Sequence, residues 1–243
     1  MNERLVIVPT YNEIENIDRI IAAVMQLPID VDLLIVDDNS PDGTGKRIKE
    51  LQSKYNSSLH LLERSGKLGL GTAYILGFKW ALEKGYLYIC EMDADFSHDP
   101  NDLPRLFEAC NHQNADLAIG SRYVSGVNVV NWPMSRVLIS YFASVYVRMV
   151  TRMKVRDATA GFVCYRREVL EVINLDKIQF KGYAFQIEMK FKACKFGFNV
   201  VELPIIFTDR REGTSKMSGM IVSEAIFGVI RLKVASWFTN YSR

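Results

Sequence analysis

An α/β fold built on a mostly parallel central sheet is the architecture this sequence predicts, and three observations carry it. Short apolar runs that do not alternate with polar residues recur along the chain, as in strands buried on both faces. Helical stretches separate them, as crossover helices separate parallel strands. Three of the runs end in acidic or polar residues: Pro9-Thr10-Tyr11-Asn12-Glu13, Asp37-Asp38 and Asp93-Ala94-Asp95.

The elements follow in order. Residues 5–8 form the first strand, closed by Pro9. Asn12 and Glu15 read as a capping box for a helix carrying Ile17, Ile20, Ile21 and Val24 on one face. Residues 33–36 form the second strand, Pro41-Asp42-Gly43 a turn, and a polar helix runs through Lys54. Residues 59–62 are the third strand, and the glycine-marked loop 66–71 opens a helix to about Lys84. The run before Asp93 is the fourth strand, and Leu117-Ala118-Ile119 the fifth. Beyond it, Pro133 starts a long helix, residues 161–165 and 200–204 are strands, residues 185–196 form an amphipathic helix, and 209–218 is a polar loop. The division expected is a nucleotide-binding half (1–120), a less regular second half (121–218) and a C-terminal amphipathic helical segment (219–243). No linker or repeat interrupts the chain, so the halves should share one core.

At 243 residues the chain can bury a substantial core, and a net charge of +2 gives no reason to expect a nucleic-acid partner. Cys90, Cys110, Cys164 and Cys194 lack C-x-x-C spacing and read as free thiols of a reducing compartment. Glu3 and Arg4 precede the first apolar run, unlike a signal peptide. The apolar stretches 137–150 and 220–238 are broken by Arg148 and by Glu224, Arg231 and Lys233, so neither should span a bilayer. Trp237, Phe238 and Tyr241 beside Arg231, Lys233 and Arg243 suit the headgroup region. The expectation is a cytoplasmic protein held peripherally on the cytoplasmic face of a membrane, by surface helices or by a small membrane-anchoring partner.

If the early strands are neighbours, their acidic ends converge on one sheet edge, where open α/β sheets bind ligands. Two carboxylates at i, i+2 repel unless a cation or ligand donor lies between them, and hard oxygen donors suit Mg2+ or Mn2+ on a phosphate-bearing substrate. Asp38 or Glu13 would accept hydrogen bonds from a ribose or a base. The competing reading, in which Asn12 and Asp42 cap helices and the other acids are solvated, covers one or two residues but not the coincidence of all three ends. The 66–71 loop has neither the G-x-x-x-x-G-K-[ST] nor the strand-linked G-x-G-x-x-G spacing, so its glycines serve a turn.

These segments, continued by V-D-D-N-S-P-D-G-T (36–44), M-D-A-D-F-S-H-D-P (92–100), G-S-R-Y (120–123), N-W-P-M-S-R (131–136), K-G-Y-A-F-Q-I-E-M (181–189) and D-R-R-E-G-T-S-K (209–216), resemble the GT-A inverting glycosyltransferases. Within them the likeness is to dolichol-phosphate (polyprenyl-phosphate) mannose synthases, and it runs over nearly the whole chain. The resemblance implies transfer of mannose from GDP-mannose to a polyprenyl phosphate with inversion; UDP-glucose or another nucleotide sugar is the alternative donor. It implies that Pro9, Tyr11, Glu13, Val36 and Asp38 line the nucleoside pocket and that Asp93, Ala94 and Asp95 follow the ribose and diphosphate. Asp95 would be the direct metal ligand, with Ser97 where some relatives have glutamine, and His98 a turn residue. Arg122, Arg136 and Ser140 would receive the lipid phosphate. Arg210 and Lys216, on a loop over the donor, would join Asp95 and Arg122 as the catalytic set.

Overall fold

A computed structural model of the chain describes residues 2–182, 184–209 and 219–242, with backbone alone at Asn56 and 219–226. The strands are β1 (Arg4–Thr10), β2 (Asp32–Asp37), β3 (Leu59–Glu63), β4 (Tyr88–Glu91), β5 (Leu117–Ser121), β6 (Val129–Val130), β7 (Val163–Arg166), β8 (Val200–Pro204) and β9 (Phe207–Thr208). The helices are α1 (Ile14–Met25), α2 (Thr44–Tyr55), α3 (Leu70–Lys84), α4 (Leu103–His112), α5 (Met134–Thr151), α6 (Arg167–Val172), α7 (Ala184–Lys195) and α8 (Gly219–Ala235).

Seven strands form one sheet in the order β3-β2-β1-β4-β7-β5-β8, and β6 pairs with β9 in a small second sheet. Within the large sheet β7 alone runs antiparallel to its neighbours. Successive residues of β1 and β2 feed opposite faces. Leu5, Ile7, Leu34 and Val36 join a core with α3, α5, α6, α7 and α8, whereas Val6, Val8, Leu33 and Ile35 join one with α1, α2 and α4. Both faces are therefore covered, which is why the strands read as unbroken apolar runs. The first core draws on residues from Leu5 to Leu232, so the early and late parts of the chain pack together as expected.

Two sequence expectations fail. The Asn12/Glu15 capping box does not form: Asn12 takes a left-handed φ of 59°, and its N–H donates to Ser40 Oγ at 3.0 Å. That turn aims the first N–H groups of α1 at the 40–44 turn instead, where Ile14 N–H meets Asp42 Oδ2 at 3.1 Å and Glu13 N–H meets Thr44 Oγ1 at 3.1 Å. Asp42 also accepts from the Thr44 hydroxyl; burial pushes its pKa up, but these bonds outweigh it and hold the carboxyl below its ordinary value. One aspartate thus ties the starts of α1 and α2 together, next to the end of β1.

The second failure is α7. Residues 184–191 are all buried, including Gln186, Glu188 and Lys190, because α3, α8 and the sheet enclose the helix. Its polar groups find partners: Gln186 Nε2 donates to Glu91 Oε2 at 2.6 Å, Lys190 Nζ to Ala160 O at 2.6 Å, and Glu188 Oε2 accepts from Gln179 and Phe180 N–H. Burial pushes Glu91 up to about 8 and Lys190 down to about 8, each favouring its neutral form. Gly71 at the start of α3 packs on this helix, and a Cβ there would lie 2.8 Å from Phe185 Cβ. Gly71→Ala is expected to destabilise the fold by about 1–3 kcal/mol, the cost of overpacking. A lower denaturation midpoint at unchanged m-value would check it.

Candidate active site

The strand order reverses between β1 and β4, whose carboxyl ends carry Thr10–Glu13 and Asp93–Asp95 in numbers 10–13 and 93–95. That reversal opens a crevice beside the sheet edge. The antiparallel β7 adds a second contribution, since the segment preceding it, and not the one following, arrives at the same edge.

Pro9 and Val36 are register partners on neighbouring strands. Asp37 is a structural carboxylate: it accepts from Thr10 Oγ1 at 2.8 Å, Ser40 Oγ at 2.6 Å and Ser40 N–H at 2.9 Å. Asp38, the other member of the pair, is already engaged. Arg64 grips it through Nε to Oδ1 at 2.5 Å and Nη2 to Oδ2 at 2.7 Å, and also donates to Thr72 Oγ1. The remaining lone pairs of Asp38 leave room for one further donor beside that fork. Lys67 lies 5.0 Å from the Tyr11 ring centroid, bringing a second cation to this flank. Glu13 accepts from Asn16 Nδ2 at 3.1 Å.

The acid loop leaves β4 through Met92, whose N–H bonds Ile7 O. Ala94 and Asp95 are buried and Asp93 is half-buried. Asp95 Oδ1 accepts the Ser97 N–H at 3.0 Å, a local turn that sets the carboxylate. Between them Phe96 takes a φ of 58°, uncommon for a bulky residue, with Arg19 5.0 Å from its ring centroid. His98 is buried, stacked on Phe162 at 4.9 Å, and its Nδ1 accepts the Asp93 N–H at 3.3 Å. Burial pushes its pKa down to about 4, so the ring is neutral. His98 therefore braces the loop and belongs to it structurally, beyond the turn role expected of it.

Asp93 and Asp95 offer hard oxygen donors, and Ser97 lies buried beside them. Among the described residues no cluster of three or more His, Cys, Asp or Glu could hold a metal ion. The chemistry of these oxygen donors fits a hard divalent cation that takes its other ligands from elsewhere. A cleft of about 770 Å³ flanks the loop, lined by Asp95, Phe96, Arg105, Thr208 and Asp209 among others.

Arg122 directly follows β5 and reaches the edge, as expected. Its fork is already engaged, however: Nε and Nη2 donate to Asp157 at 2.8 and 2.6 Å, and Nη2 also to Thr159 Oγ1 at 2.7 Å. Burial works against both charges, but their mutual attraction prevails, holding Arg122 above and Asp157 below ordinary values. The Nε–Nη2 edge is thus committed to Asp157 and Thr159, and Nη1 is the nitrogen outside these bonds. Arg136 and Ser140 share α5. Arg136 lies over the Trp132 ring at 4.2 Å and donates to Asp209 Oδ1 at 2.8 Å, while Ser140 Oγ accepts from Tyr123 OH at 2.8 Å. Arg122 flanks the same Trp132 ring at 5.6 Å, so both arginines gather around one indole. Thr208 N–H bonds Ser97 O at 3.2 Å, strapping β9 to the acid loop. Arg210 and Lys216 lie outside the described residues.

Arg64, Lys67, Tyr123, Trp132, Asp157 and Asp209 were not expected at the site. Arg64 had a usable signal, since it immediately follows β3 just as Asp38 follows β2.

Glycosyl transferase family 2 matches residues 5–173 of the chain. The polyprenol monophosphomannose synthase of Mycolicibacterium smegmatis is 49% identical over 233 residues, covering 96% of this chain and 86% of that protein. The undecaprenyl-phosphate mannosyltransferase of Micrococcus luteus is 47% identical over 232 residues, covering 96% and 94%. Among solved structures, glucosyl-3-phosphoglycerate synthase from Mycobacterium tuberculosis, with Mn2+, UDP and product, shares the fold at a TM-score of 0.64 and 16% identity, covering 95% of this chain and 78% of that one. A mannosyltransferase from Pyrobaculum calidifontis with GDP-Man and Mn2+ does so at 0.60 and 17%, covering 98% and 64%.

Proposed function

This chain belongs to glycosyl transferase family 2, and we propose that it transfers mannose from GDP-mannose to a polyprenyl phosphate with inversion at the anomeric carbon. The observation that carries the reading is one sheet edge bearing two unlike halves, an acid loop at Asp93–Ala94–Asp95 in positions 93–95 and two arginines around Trp132. The relatives named for mannosyl transfer to polyprenyl carriers support the substrates. On this reading residues 1–120 bind the donor and 121–218 the acceptor.

Pro9, Tyr11, Glu13, Val36 and Asp38 hold the nucleoside, with the Arg64 fork fixing Asp38 for it. Asp95, with Ser97 beside it, holds a Mg2+ or Mn2+ ion, which when bound offsets charge on the departing diphosphate. Arg210 and Lys216 add positive charge to that same group. The acceptor phosphate is already anionic near neutral pH, its second pKa lying near 6, so no general base is required. Its oxygen attacks the anomeric carbon as the bond to the diphosphate breaks on the opposite face, and GDP leaves with the electron pair. Arg136, Arg122 and Ser140 orient that phosphate, so catalysis is mainly positioning and charge stabilisation.

A panel of GDP-mannose, UDP-glucose and UDP-N-acetylglucosamine with farnesyl phosphate tests the donor. Product from GDP-mannose alone is expected; preference for a UDP-sugar would transfer the assignment to the alternative donor.

No described helix is long and apolar enough to cross a membrane. Yet α5 and α8 pack together and expose Leu138, Ile139 and Phe142 on one and Phe227 and Ile230 on the other, followed by Trp237 and Phe238. Among the described side chains of α8, Val234 is exposed as well, beside Arg231. Exposed apolar area of this kind supports peripheral seating on a membrane, where the lipid acceptor resides. Replacing Trp237 and Phe238 together by serine is expected to weaken sedimentation with anionic phospholipid vesicles by about ten-fold or more. Undiminished sedimentation would contradict it.

A further inference from the structure

The segment before β7 is held more firmly than a connecting loop needs. Glu202, on β8, accepts both Arg156 N–H at 2.6 Å and Asp157 N–H at 2.9 Å. The turn closes on itself through Ala160 N–H to Asp157 O, and fully buried Lys190 fastens its far end by donating to Ala160 O at 2.6 Å. A carboxylate from one element and an ammonium from another thus clamp five residues. Lys190 is fully buried, where a charge is costly, whereas Glu202 is only partly buried.

What the clamp presents is the fully buried carboxylate of Asp157. It takes the Arg122 backbone N–H at 2.9 Å together with Nε and Nη2, and Thr159 Oγ1 shares Nη2. Tyr123, Trp132 and Phe207 surround the guanidinium, with their ring centroids 5.2, 5.6 and 5.5 Å from its carbon. One edge of a planar fork bonded in this way cannot rotate about its axis without breaking several charged hydrogen bonds at once. Tyr123, next in sequence, extends the arrangement by donating to Ser140.

We propose that Asp157 is a positioning residue for the acceptor: it locks the Nε–Nη2 edge of Arg122 inward and so fixes Nη1 as the nitrogen that meets the lipid phosphate. The inference rests on the acceptor reading above. It divides labour between the two arginines. Arg122 supplies one immobile contact, and Arg136, whose visible bond is to a half-exposed Asp209, supplies the adaptable one.

Calorimetric titration of farnesyl phosphate, without donor, tests this. Asp157→Asn keeps the size but sets an amide against the guanidinium, and binding is expected to weaken about ten-fold or more, as for a lost charged hydrogen bond. GDP affinity should stay within about two-fold, since Asp157 touches no donor-side residue. In an Arg122→Ala background the same change should have no further effect, because Asp157 acts through Arg122. If Asp157→Asn fails to fold, Asp157→Glu keeps the buried charge pair and moves only its geometry; a loss of about three-fold or more is expected there on the same grounds. Unchanged or tighter binding by the folded variant, or an equal loss in the Arg122→Ala background, would overturn the inference alone. Failure of the wild type to bind farnesyl phosphate would instead overturn the acceptor reading and the inference with it.

Discussion

Asp95→Asn is expected to lower mannosyl transfer by about a hundred- to a thousand-fold, the cost of removing one preorganised electrostatic contributor from an active site. The asparagine amide oxygen can still accept the Ser97 N–H that Asp95 Oδ1 takes at 3.0 Å, so the loop keeps its turn. What is lost is one unit of negative charge at the place proposed for a divalent ion. Melting temperature should therefore barely change, while Mn2+ affinity, read from the paramagnetic spectrum of the ion, should fall with activity. A variant that transfers mannose at the wild-type rate would exclude Asp95 from the reaction.

Arg136→Ala should act on the other substrate. Its KM for polyprenyl phosphate is expected to rise about ten- to a hundred-fold, with the KM for GDP-mannose little altered, as for loss of charged hydrogen bonds to one ligand. Arg136→Lys should recover only part of the loss. Lysine restores the charge but neither the planar fork nor the guanidinium face that lies over Trp132 at 4.2 Å. Equal changes in both KM values would mean that Arg136 supports the fold of the crevice and does not hold the acceptor phosphate.

The parts of the site visible in the sequence are those that follow strands. Asp38 and Asp93 come just beyond parallel strands and Arg122 beyond β5, so a run of buried apolar residues announces each of them. Asp157 escapes that rule because it precedes β7, and only the reversed direction of that strand brings it to the edge. Direction is a tertiary property, set by which neighbour a strand finds. Arg64 follows β3 and obeyed the rule, yet in isolation a lone arginine after a strand is indistinguishable from a solvated one. Its meaning comes from Asp38 opposite.

The capping box shows the opposite error. Asn12 and Glu15 satisfy the local pattern, but a left-handed Asn12 redirects the α1 start to Asp42, 28 residues from Ile14 along the chain. Local capping competes with tertiary caps, and here the turn between β2 and α2 offers a better-placed carboxylate. Residues 185–196 read as an amphipathic helix, yet Gln186, Glu188 and Lys190 are all buried. The partners that keep these groups dry, Glu91, Ala160 and the 179–180 backbone, lie on other elements. Paired buried polar groups carry no local signature.

Phosphorus NMR of a single reaction tests the central claim most directly. Purified chain, GDP-mannose, farnesyl phosphate and Mg2+ should convert the phosphomonoester resonance into a phosphodiester one. GDP should appear in equal amount, and nothing should change when either the ion or GDP-mannose is omitted. A phosphomonoester signal that persists while GDP-mannose is consumed, or a phosphodiester formed only from a UDP-sugar, would contradict the account.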